Sequence, residues 1–206
     1  MSREHELLNE FLRKWPLDKV KEMRLEDYVL GLPKEHPNYH DTFYYWLEYK
    51  TDDLGGIKGG SAFKSIIFYK DFEKKYSYCI EDDGYLFKEK YGRTKDYVFK
   101  YVKQNILNVI QLSESGKFEE IEDIPLPDTL KWKTAFLYSN ERLIPIFKKE
   151  VLIKIAESFE SKTEKISKIQ KLMMNKKTES LTIYQYKEKL WKEFGIKTQK
   201  ELKENG

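Results

Sequence analysis

The stretch TKDYVFKYVKQNILNVIQLSES (residues 94–115) carries the strongest secondary-structure signal in this 206-residue chain. Its apolar residues recur at the three- and four-residue spacing of one helix face. Thr94 fits the N-cap position, and Gly116 follows the last periodic residue, where glycine commonly ends a helix. The pattern predicts a long helix with one buried face, formed by Val98, Tyr101, Val102, Ile106, Val109 and Ile110.

The segments on both sides of this helix predict a mixture of strands and helices. Aromatic or alternating patterns favour strands at residues 43–49, 63–71, 75–82 and 131–139, with a turn at Asp83-Gly84. Helical spacing favours further helices at residues 4–14, 25–31, 144–159 and 181–195. Because the two kinds of element alternate irregularly, we expect an α+β fold, with a mixed or antiparallel sheet packed against several helices and a helical C-terminal segment.

The charges are distributed unevenly along the chain. Residues 161–206 contain 12 Lys and 6 Glu, a net of +6, so the remainder contains 26 basic and 29 acidic residues, a net of −3. We therefore expect an α+β domain at residues 1–160 and a lysine-rich helical extension at residues 161–206. The small total of +3 argues against the strong non-specific nucleic-acid binding of a highly basic protein.

The sequence lacks the features of secreted and membrane proteins. Cys79 is the only cysteine, so no internal disulfide is expected. No apolar run approaches the roughly 18 residues that a membrane span needs, and the N-terminal MSREHELLNE has no apolar signal core. We expect a cytoplasmic protein with no membrane contact.

The segment GGIKGG (residues 55–60) has four glycines in six positions. Gly55 and Gly60 have the spacing of a P-loop, but Ser61 and Ala62 follow, so the phosphate-binding lysine of that motif is missing. The three histidines, His5, His36 and His40, have no companion cysteine pair at metal-site spacing. We therefore expect neither a nucleotide cofactor nor a metal.

Lysines and aromatic residues surround the glycines, which gives the segment two interpretations. It is either a tight connection between two strands or an edge that contacts nucleic acid through lysines, glycine amides and stacked rings. In a strand, Tyr44 and Trp46 face away from Tyr45 and Tyr49, and the pattern leaves open which face is buried. The base-contact candidates are Tyr44 and Trp46. The phosphate-contact candidates are Lys50, Lys58, Gly59, Gly60, Lys64 and Arg93.

The sequence YWLEYKTDDLGGIKGGSAFKSIIFYK (residues 45–70) resembles a stretch N-terminal to the ATPase module of McrB-like AAA+ proteins, the motor subunits of modification-dependent restriction systems. Residues 91–110 and 131–152 are similar to the family's helix after the sheet and to its strand followed by a Pro-Ile-Phe turn into a helix. The resemblance implies a DNA-recognition domain, often one that reads a methylated base. The nucleotide hydrolysis and the DNA cleavage would then belong to a AAA+ motor module and a nuclease subunit, and not to this chain.

Two other functions remain open from the sequence. The C-terminal region would suit a protein-interaction module that docks a neighbouring domain or a partner subunit, through Leu181, Tyr184, Leu190, Trp191 and Phe194. The acidic residues Asp52, Asp53, Glu81 and Asp82 would suit a metal-dependent nuclease. No Asp followed by Glu-x-Lys accompanies them, and turn-forming Asp is the simpler explanation.

Overall fold

A computed structural model describes residues 2–70, 76, 78–196 and 198 of the chain. Within them the expected α+β class is confirmed, because a small antiparallel sheet packs among many helices. The α-helices are α1 (Arg3–Lys14), α2 (Leu17–Glu22), α3 (Leu25–Tyr28), α4 (Phe43–Tyr45), α5 (Lys95–Glu114), α6 (Phe118–Ile121), α7 (Asp128–Leu137), α8 (Lys149–Ser158), α9 (Ile166–Lys176) and α10 (Ile183–Leu190). Two π-helical turns, Trp46–Lys50 and Trp191–Gly195, extend α4 and α10. Short 3₁₀ turns lie at Asp52–Leu54, Ala62–Ser65 and Glu89–Tyr91.

The central element is α5, which confirms the long helix expected from the sequence. Thr94 caps it by accepting a hydrogen bond from the Tyr97 backbone nitrogen (3.4 Å), and Gly116 follows its end in the left-handed region (φ 74°). Five of the six residues on the expected face are buried, and Tyr101 is half-buried. This helix packs against α2, α6, α7 and the sheet, so it organises the core.

The sheet is smaller than expected. It contains β1 (Ile67–Tyr69), β2 (Ile80–Asp82) and β3 (Tyr85–Phe87), antiparallel in the order β1-β3-β2. Asp83 and Gly84 form the expected turn between β2 and β3, with the positive φ angles (51° and 80°) of a tight hairpin. The strand expected at 63–71 shortens to β1, because Ala62–Ser65 forms a 3₁₀ turn and Ile66 has a φ of 70°. Of the strand expected at 75–82, residues 80–82 form β2, while the described residues 76, 78 and 79 are not in a strand. Residues 71–75 and 77 lie outside the described residues.

Residues 43–49 form a helix, so the strand predicted there is wrong. Thr42 caps α4 by accepting a hydrogen bond from the Tyr45 backbone nitrogen at 3.2 Å. Aromatic residues favour strands in general because they pack well on a half-buried pleated surface. In this chain the Phe43 ring instead packs edge-on against Trp15 of the turn after α1, at 5.4 Å between ring centroids. Tertiary packing therefore overrides the local preference.

The strand predicted at 131–139 is also wrong, since residues 128–137 form α7. Every residue from Leu130 to Leu137 is buried. A helix that is buried all round has no polar face, so its sequence shows no helical period and resembles a core strand. The helix predicted at 144–159 is confirmed from Lys149 onward as α8.

The described part of the C-terminal segment is helical, as expected, and it packs on the body of the protein. Ile166, Met173 and Leu190 belong to the same hydrophobic cluster as the buried residues of α5 and α7. The division at residue 160 stays a prediction, and residues 197 and 199–206 lie outside the described residues. No helix in the described part of the chain has both the length and the apolar character needed to cross a membrane.

Candidate nucleic-acid interface

The glycine segment forms a loop in which the first and last glycines have different roles. Gly55 has a φ of 97°, and a Cβ on it would lie 2.4 Å from the Pro145 carbonyl oxygen. Gly59 and Gly60 also have positive φ angles (85° and 76°), but a Cβ on either would meet nothing within 4 Å. The loop thus begins with a close approach to the protein's own backbone and ends in an open tip.

A buried lysine holds the start of this loop. The Lys133 ammonium group donates hydrogen bonds to the carbonyl oxygens of Thr51 (2.7 Å), Leu54 (3.3 Å) and Gly55 (2.6 Å). Lys133 is fully buried in α7, and this burial lowers the pKa of its ammonium group well below the usual 10.5. An ammonium group has three donors, so all of them are used inside the protein. Lys133 therefore shapes the loop and offers no donor to a ligand.

A second lysine holds the tip. The Lys64 ammonium group lies 2.6 Å from Glu48 Oε1 and donates to the carbonyl oxygens of Ile57 (2.6 Å) and Gly59 (2.8 Å). Only 14% of the Lys64 side chain and 5% of the Glu48 side chain are exposed. Lys64, predicted as a phosphate contact, is thus committed to an internal ion pair that ties the loop to the π-helical turn after α4.

Two adjoining cavities border the loop and share Lys58, Phe147 and Lys148. One, of about 460 Å³, lies between the loop tip and the start of α8, and the other, of about 260 Å³, lies between the loop's first glycines and α10. We call the two together the lysine groove. It is lined by five lysines and three carboxylates, namely Lys58, Lys64, Lys148, Lys149, Lys187, Asp52, Asp128 and Glu150. Two of the lysines pair with carboxylates just outside the lining, Lys64 with Glu48 and Lys187 with Glu188, each at 2.6 Å.

Three of these lysines can reach a ligand. Lys58 is 46% exposed and pairs with Asp52 at 2.9 Å, a hydrogen bond that raises the pKa of the lysine. Lys148 has no carboxylate partner among the described residues, and its ammonium group lies 5.8 Å from the Trp191 ring centroid. Lys149 is 43% exposed and lies 3.9 Å from Glu164. Because α8 begins at this point, the positive end of its helix dipole adds to the same field.

A stack of four rings lies beside the loop. Consecutive centroids are 3.7 Å apart for Tyr39 and His40, 4.5 Å for His40 and Tyr45, and 4.8 Å for Tyr45 and Tyr49. The interplanar angles are 20°, 13° and 24°. We call this set the ring stack. Its last ring, Tyr49, is 43% exposed and lies 5.6 Å from the Lys58 ammonium group, so the ring stack meets the lysine groove at Lys58.

The two predicted base-contact residues do not lie at this surface, and both predictions need correction. Tyr44 is fully buried, and Trp46 is 6% exposed with its indole nitrogen donating to Asp41 at 2.8 Å. Their rings pack in the core because residues 43–49 are helical. In a helix, Tyr45 and Tyr49 are four residues apart and share the outer face. A helical interpretation of the same sequence would have identified them.

The predicted phosphate contacts are brought together only in part. Lys58, Gly59 and Gly60 lie at the groove, and Lys50 is exposed at the end of the π-helical turn, next to Tyr49 in sequence. Arg93 does not line the groove; it lies before α5, 85% exposed and 3.5 Å from Glu89. The sequence analysis missed Lys148, Lys149 and Lys187, which come to the groove only through the packing of α8 and α10.

The four acidic residues considered for a metal-dependent nuclease do not form one cluster, and each has a cationic or hydrogen-bonding partner. Asp52 pairs with Lys58, Asp53 with Arg3 (2.9 Å) and Glu81 with Lys70 (2.7 Å). Asp82 accepts a hydrogen bond from the Lys95 backbone nitrogen at 2.8 Å. Within the described residues, no group of three or more histidine, cysteine or carboxylate side chains is arranged to hold a metal ion.

Comparison of the chain with models of protein families, with curated proteins and with solved structures finds no match in any of the three.

Proposed function

We propose that this chain is a DNA-binding specificity domain of a modification-dependent, McrB-like restriction system. The observation that carries the proposal is the lysine groove. Its two adjoining cavities are bordered by the exposed glycine tip, the start of α8 and the side chains of Lys58, Lys148 and Lys149. The likeness of residues 45–70 to the N-terminal region of McrB-like proteins supports the same function.

The groove suits a phosphate backbone for electrostatic reasons. Lysine ammonium groups bind phosphates as point charges, and binding releases the counterions that surround DNA. The backbone amides of Gly59 and Gly60 carry no side chains that would keep a phosphate away. With only a few such contacts and a small net charge, we expect modest affinity with a clear dependence on salt.

The proposal has further parts that follow from the resemblance. The target is a DNA duplex that carries a methylated base. The partners are a AAA+ motor module and a nuclease subunit, which supply nucleotide hydrolysis and cleavage. The chain itself is not an enzyme and acts in the cytoplasm.

The alternative of a protein-interaction module receives less support from the structure. Tyr184 and Leu190, two residues expected to dock a partner, are 7% and 3% exposed. The other three, Leu181, Trp191 and Phe194, are partly buried against the same core. These side chains already pack against the core of their own chain, so little of the apolar docking face expected from the sequence is exposed to a partner.

Fluorescence anisotropy with labelled DNA tests the proposal. Three matched duplexes are titrated over a series of salt concentrations: one unmodified, one with 5-methylcytosine and one with N6-methyladenine. We expect binding whose logarithm falls linearly with the logarithm of the salt concentration, and tighter binding to one methylated duplex. The triple variant Lys58→Gln, Lys148→Gln, Lys149→Gln should reduce the slope by roughly 0.9 for each phosphate that the protein no longer neutralises.

A second triple variant with the same net charge is the control. Lys34, Lys100 and Lys117 are exposed and lie outside the groove, so their change to Gln should leave the slope nearly unchanged. Equal effects of the two triple variants would place DNA binding elsewhere on the surface. Absence of binding to every duplex would reject the proposal and favour the protein-interaction module. Equal binding to all three duplexes would reject methylated-base recognition alone.

A further inference from the structure

The helix α9 carries a strong excess of positive charge outside the core. Residues 161–177, which include the helix and the loop before it, contain six lysines and one glutamate, a net of +5. The apolar side of the helix is used inside the protein, because Ile166, Ile169 and Met173 are buried in the core. The opposite side therefore presents lysines to solvent, and Glu164 is the one carboxylate of the segment.

Three lysines on this side have no partner in the part of the chain that the structure describes. Lys165, Lys168 and Lys171 are all exposed, and none of them forms an ion pair, a side-chain hydrogen bond or a ring contact there. Residues three apart on a helix are neighbours, so the three side chains form one row, which we call the α9 lysines. The row spans about 9 Å along the helix axis, which is close to the rise of three base pairs of DNA.

The lysines at the start of α9 are placed against the electrostatic preference of the helix. Lys165 is the N-cap residue and makes no side-chain cap, and the first turn contains Lys168 but no acidic residue. Cations at this end oppose the positive end of the helix dipole, and Ser, Thr, Asp or Asn are the favoured N-caps. Helix stability therefore does not explain these two lysines, whereas an external anion does.

An anion at this surface would be bound by side chains and not by the end of the helix. The backbone nitrogen of Ser167, the second residue of α9, already donates to Glu122 Oε1 at 2.5 Å. The α9 lysines extend from the helix as long cationic side chains. This arrangement suits an extended, charged partner such as a phosphate backbone, which lysine binds as a point charge.

The start of α9 adjoins the lysine groove. The Lys149 ammonium group, which lines the groove, lies 3.9 Å from a carboxylate oxygen of Glu164, the residue before Lys165. The side chains of Lys149 and Glu164 are 43% and 74% exposed. Exposed ion pairs contribute little free energy, so a phosphate can replace Glu164 beside Lys149 at small cost. The positive surface thus passes from the groove to α9 across one weak ion pair.

We propose that the α9 lysines form a second contact with the phosphate backbone of the DNA duplex that the lysine groove binds. This inference rests on DNA binding by the groove and adds a surface to it. The duplex lies across the start of α8 and continues along the exposed side of α9. Phosphate contacts position a protein on DNA and carry no sequence information, so α9 adds affinity and salt dependence without discriminating between bases.

Chemical acetylation of lysines tests this inference in the unchanged, complete chain. The protein is treated with an acetylating reagent, with and without a saturating unmodified duplex about two helical turns long. Mass spectrometry then gives the extent of reaction at each lysine. We expect the duplex to protect Lys165, Lys168 and Lys171 together with Lys58. Two exposed lysines on other elements, Lys34 and Lys100, should react equally in both samples.

A variant with fewer charges measures the contribution of α9 to binding. The triple variant Lys165→Gln, Lys168→Gln, Lys171→Gln should reduce the slope of the salt dependence by about 2 to 3, since each phosphate contact contributes roughly 0.9. The control changes three exposed lysines outside α8, α9 and the groove to Gln, namely Lys34, Lys90 and Lys100. It has the same net charge and should keep the slope. Far-ultraviolet circular dichroism should be the same for both variants, because all six side chains are exposed.

The outcomes distinguish the inference from the function on which it rests. If the duplex protects Lys58 but leaves the α9 lysines fully reactive, the inference is wrong and the proposed function stands. Equal loss of slope in the two triple variants would also overturn the inference, because net charge alone would then account for the effect. If no duplex binds, both the inference and the proposed function are wrong.

Discussion

The ammonium nitrogen of Lys133 lies 2.6 Å from the carbonyl oxygen of Gly55, in a part of the core where the lysine side chain has no exposed surface. Two more carbonyl oxygens, from Thr51 and Leu54, share the same ammonium group. A residue of α7 thus fixes the backbone that leads into the glycine loop, 78 positions away in sequence. The shape of the lysine groove therefore depends on a side chain that does not line it.

Lys133→Met should destabilise the protein. The substitution leaves three buried carbonyl oxygens without their donor, and it also removes the cost of burying a charge. We expect a net loss of about 2–3 kcal/mol in the free energy of unfolding, measured by denaturant titration. Lys168→Met, on the exposed face of α9, should change it by less than about 0.5 kcal/mol. A Lys133→Met variant as stable as the unchanged protein would show that the three carbonyls find other donors.

Gly55→Ala and Gly59→Ala should differ strongly in stability, although both glycines have positive φ angles. At Gly59 the new methyl group meets open space, so only the left-handed backbone is penalised, by about 1 kcal/mol. At Gly55 the methyl group would also lie 2.4 Å from the Pro145 carbonyl oxygen. The combined strain should reach about 3 kcal/mol or more. Thermal unfolding of both variants measures the difference, and equal midpoints would refute it.

Lys64 and Glu48 should show strong coupling in a double-mutant cycle. Lys64→Met alone leaves the Glu48 carboxylate buried without its cation, which should cost about 3 kcal/mol. Addition of Glu48→Gln removes that charge, so the double variant should be more stable than the sum of the single variants predicts. The free energy of unfolding of all four proteins gives the coupling energy. Additive effects would mean that water screens the pair despite its burial.

The burial of the Lys64–Glu48 ion pair limits which loop residues are suitable for testing DNA binding. A charge reversal at Lys64 would place two carboxylates together in a nearly buried site. Loss of DNA binding in such a variant would reflect damage to the loop. Lys58, whose side chain is 46% exposed, is the position of the loop where charge can be changed with little effect on stability.

The sequence predicted those elements in which local signals and the tertiary structure agree. The helix α5 has a cap, a period and a terminal glycine, and the hairpin turn at Asp83-Gly84 has the residues that its backbone requires. The helices at 43–50 and 128–137 were missed for two physical reasons. The first contains aromatic residues that favour strands by themselves, and the second is buried on all sides and therefore shows no period.

Only part of the candidate site could be predicted, because local sequence patterns do not show which distant residues pack together. Lys58, Gly59 and Gly60 are local to the loop, so their sequence neighbourhood identified them. Lys148 and Lys149 join them only through the packing of α8, which no local pattern encodes. The error at Tyr44 and Trp46 follows directly from the wrong secondary structure, because a change from strand to helix changes which side chains share a face.

The buried tyrosines should make the protein unstable in alkali. Burial raises the pKa of the hydroxyl groups of Tyr28, Tyr44, Tyr138 and Tyr184 above the usual 10.0, and that of Tyr85 to about 12. Above pH 10 the unfolded chain loses these protons while the folded chain keeps them. The folded state then binds more protons, so stability falls as the pH rises. Below pH 10 the tyrosines are protonated in both states, so their full contribution to stability is present.

Lys133 acts in the opposite direction and does not cancel this effect. Its lowered pKa means that the unfolded chain binds more protons at this site, so stability rises with pH until the unfolded lysine also titrates near 10.5. Above that pH Lys133 no longer contributes to the slope, and each buried tyrosine should reduce the free energy of unfolding by about 1.4 kcal/mol per pH unit. Urea titrations between pH 8 and 12 measure the slope, and ultraviolet absorbance follows the tyrosinates.

Tyr138→Phe gives this prediction its sharpest test. The Tyr138 hydroxyl donates to the Trp15 carbonyl oxygen at 2.6 Å, so its removal costs some stability at neutral pH. Because the variant has one fewer buried hydroxyl to titrate, its stability should fall less steeply above pH 10.5, by about 1.4 kcal/mol per pH unit. Tyr78→Phe, at a tyrosine with 98% exposure, should leave the slope unchanged. Parallel alkaline slopes for Tyr138→Phe and the unchanged protein would show that Tyr138 titrates in the folded state as it does in the unfolded chain.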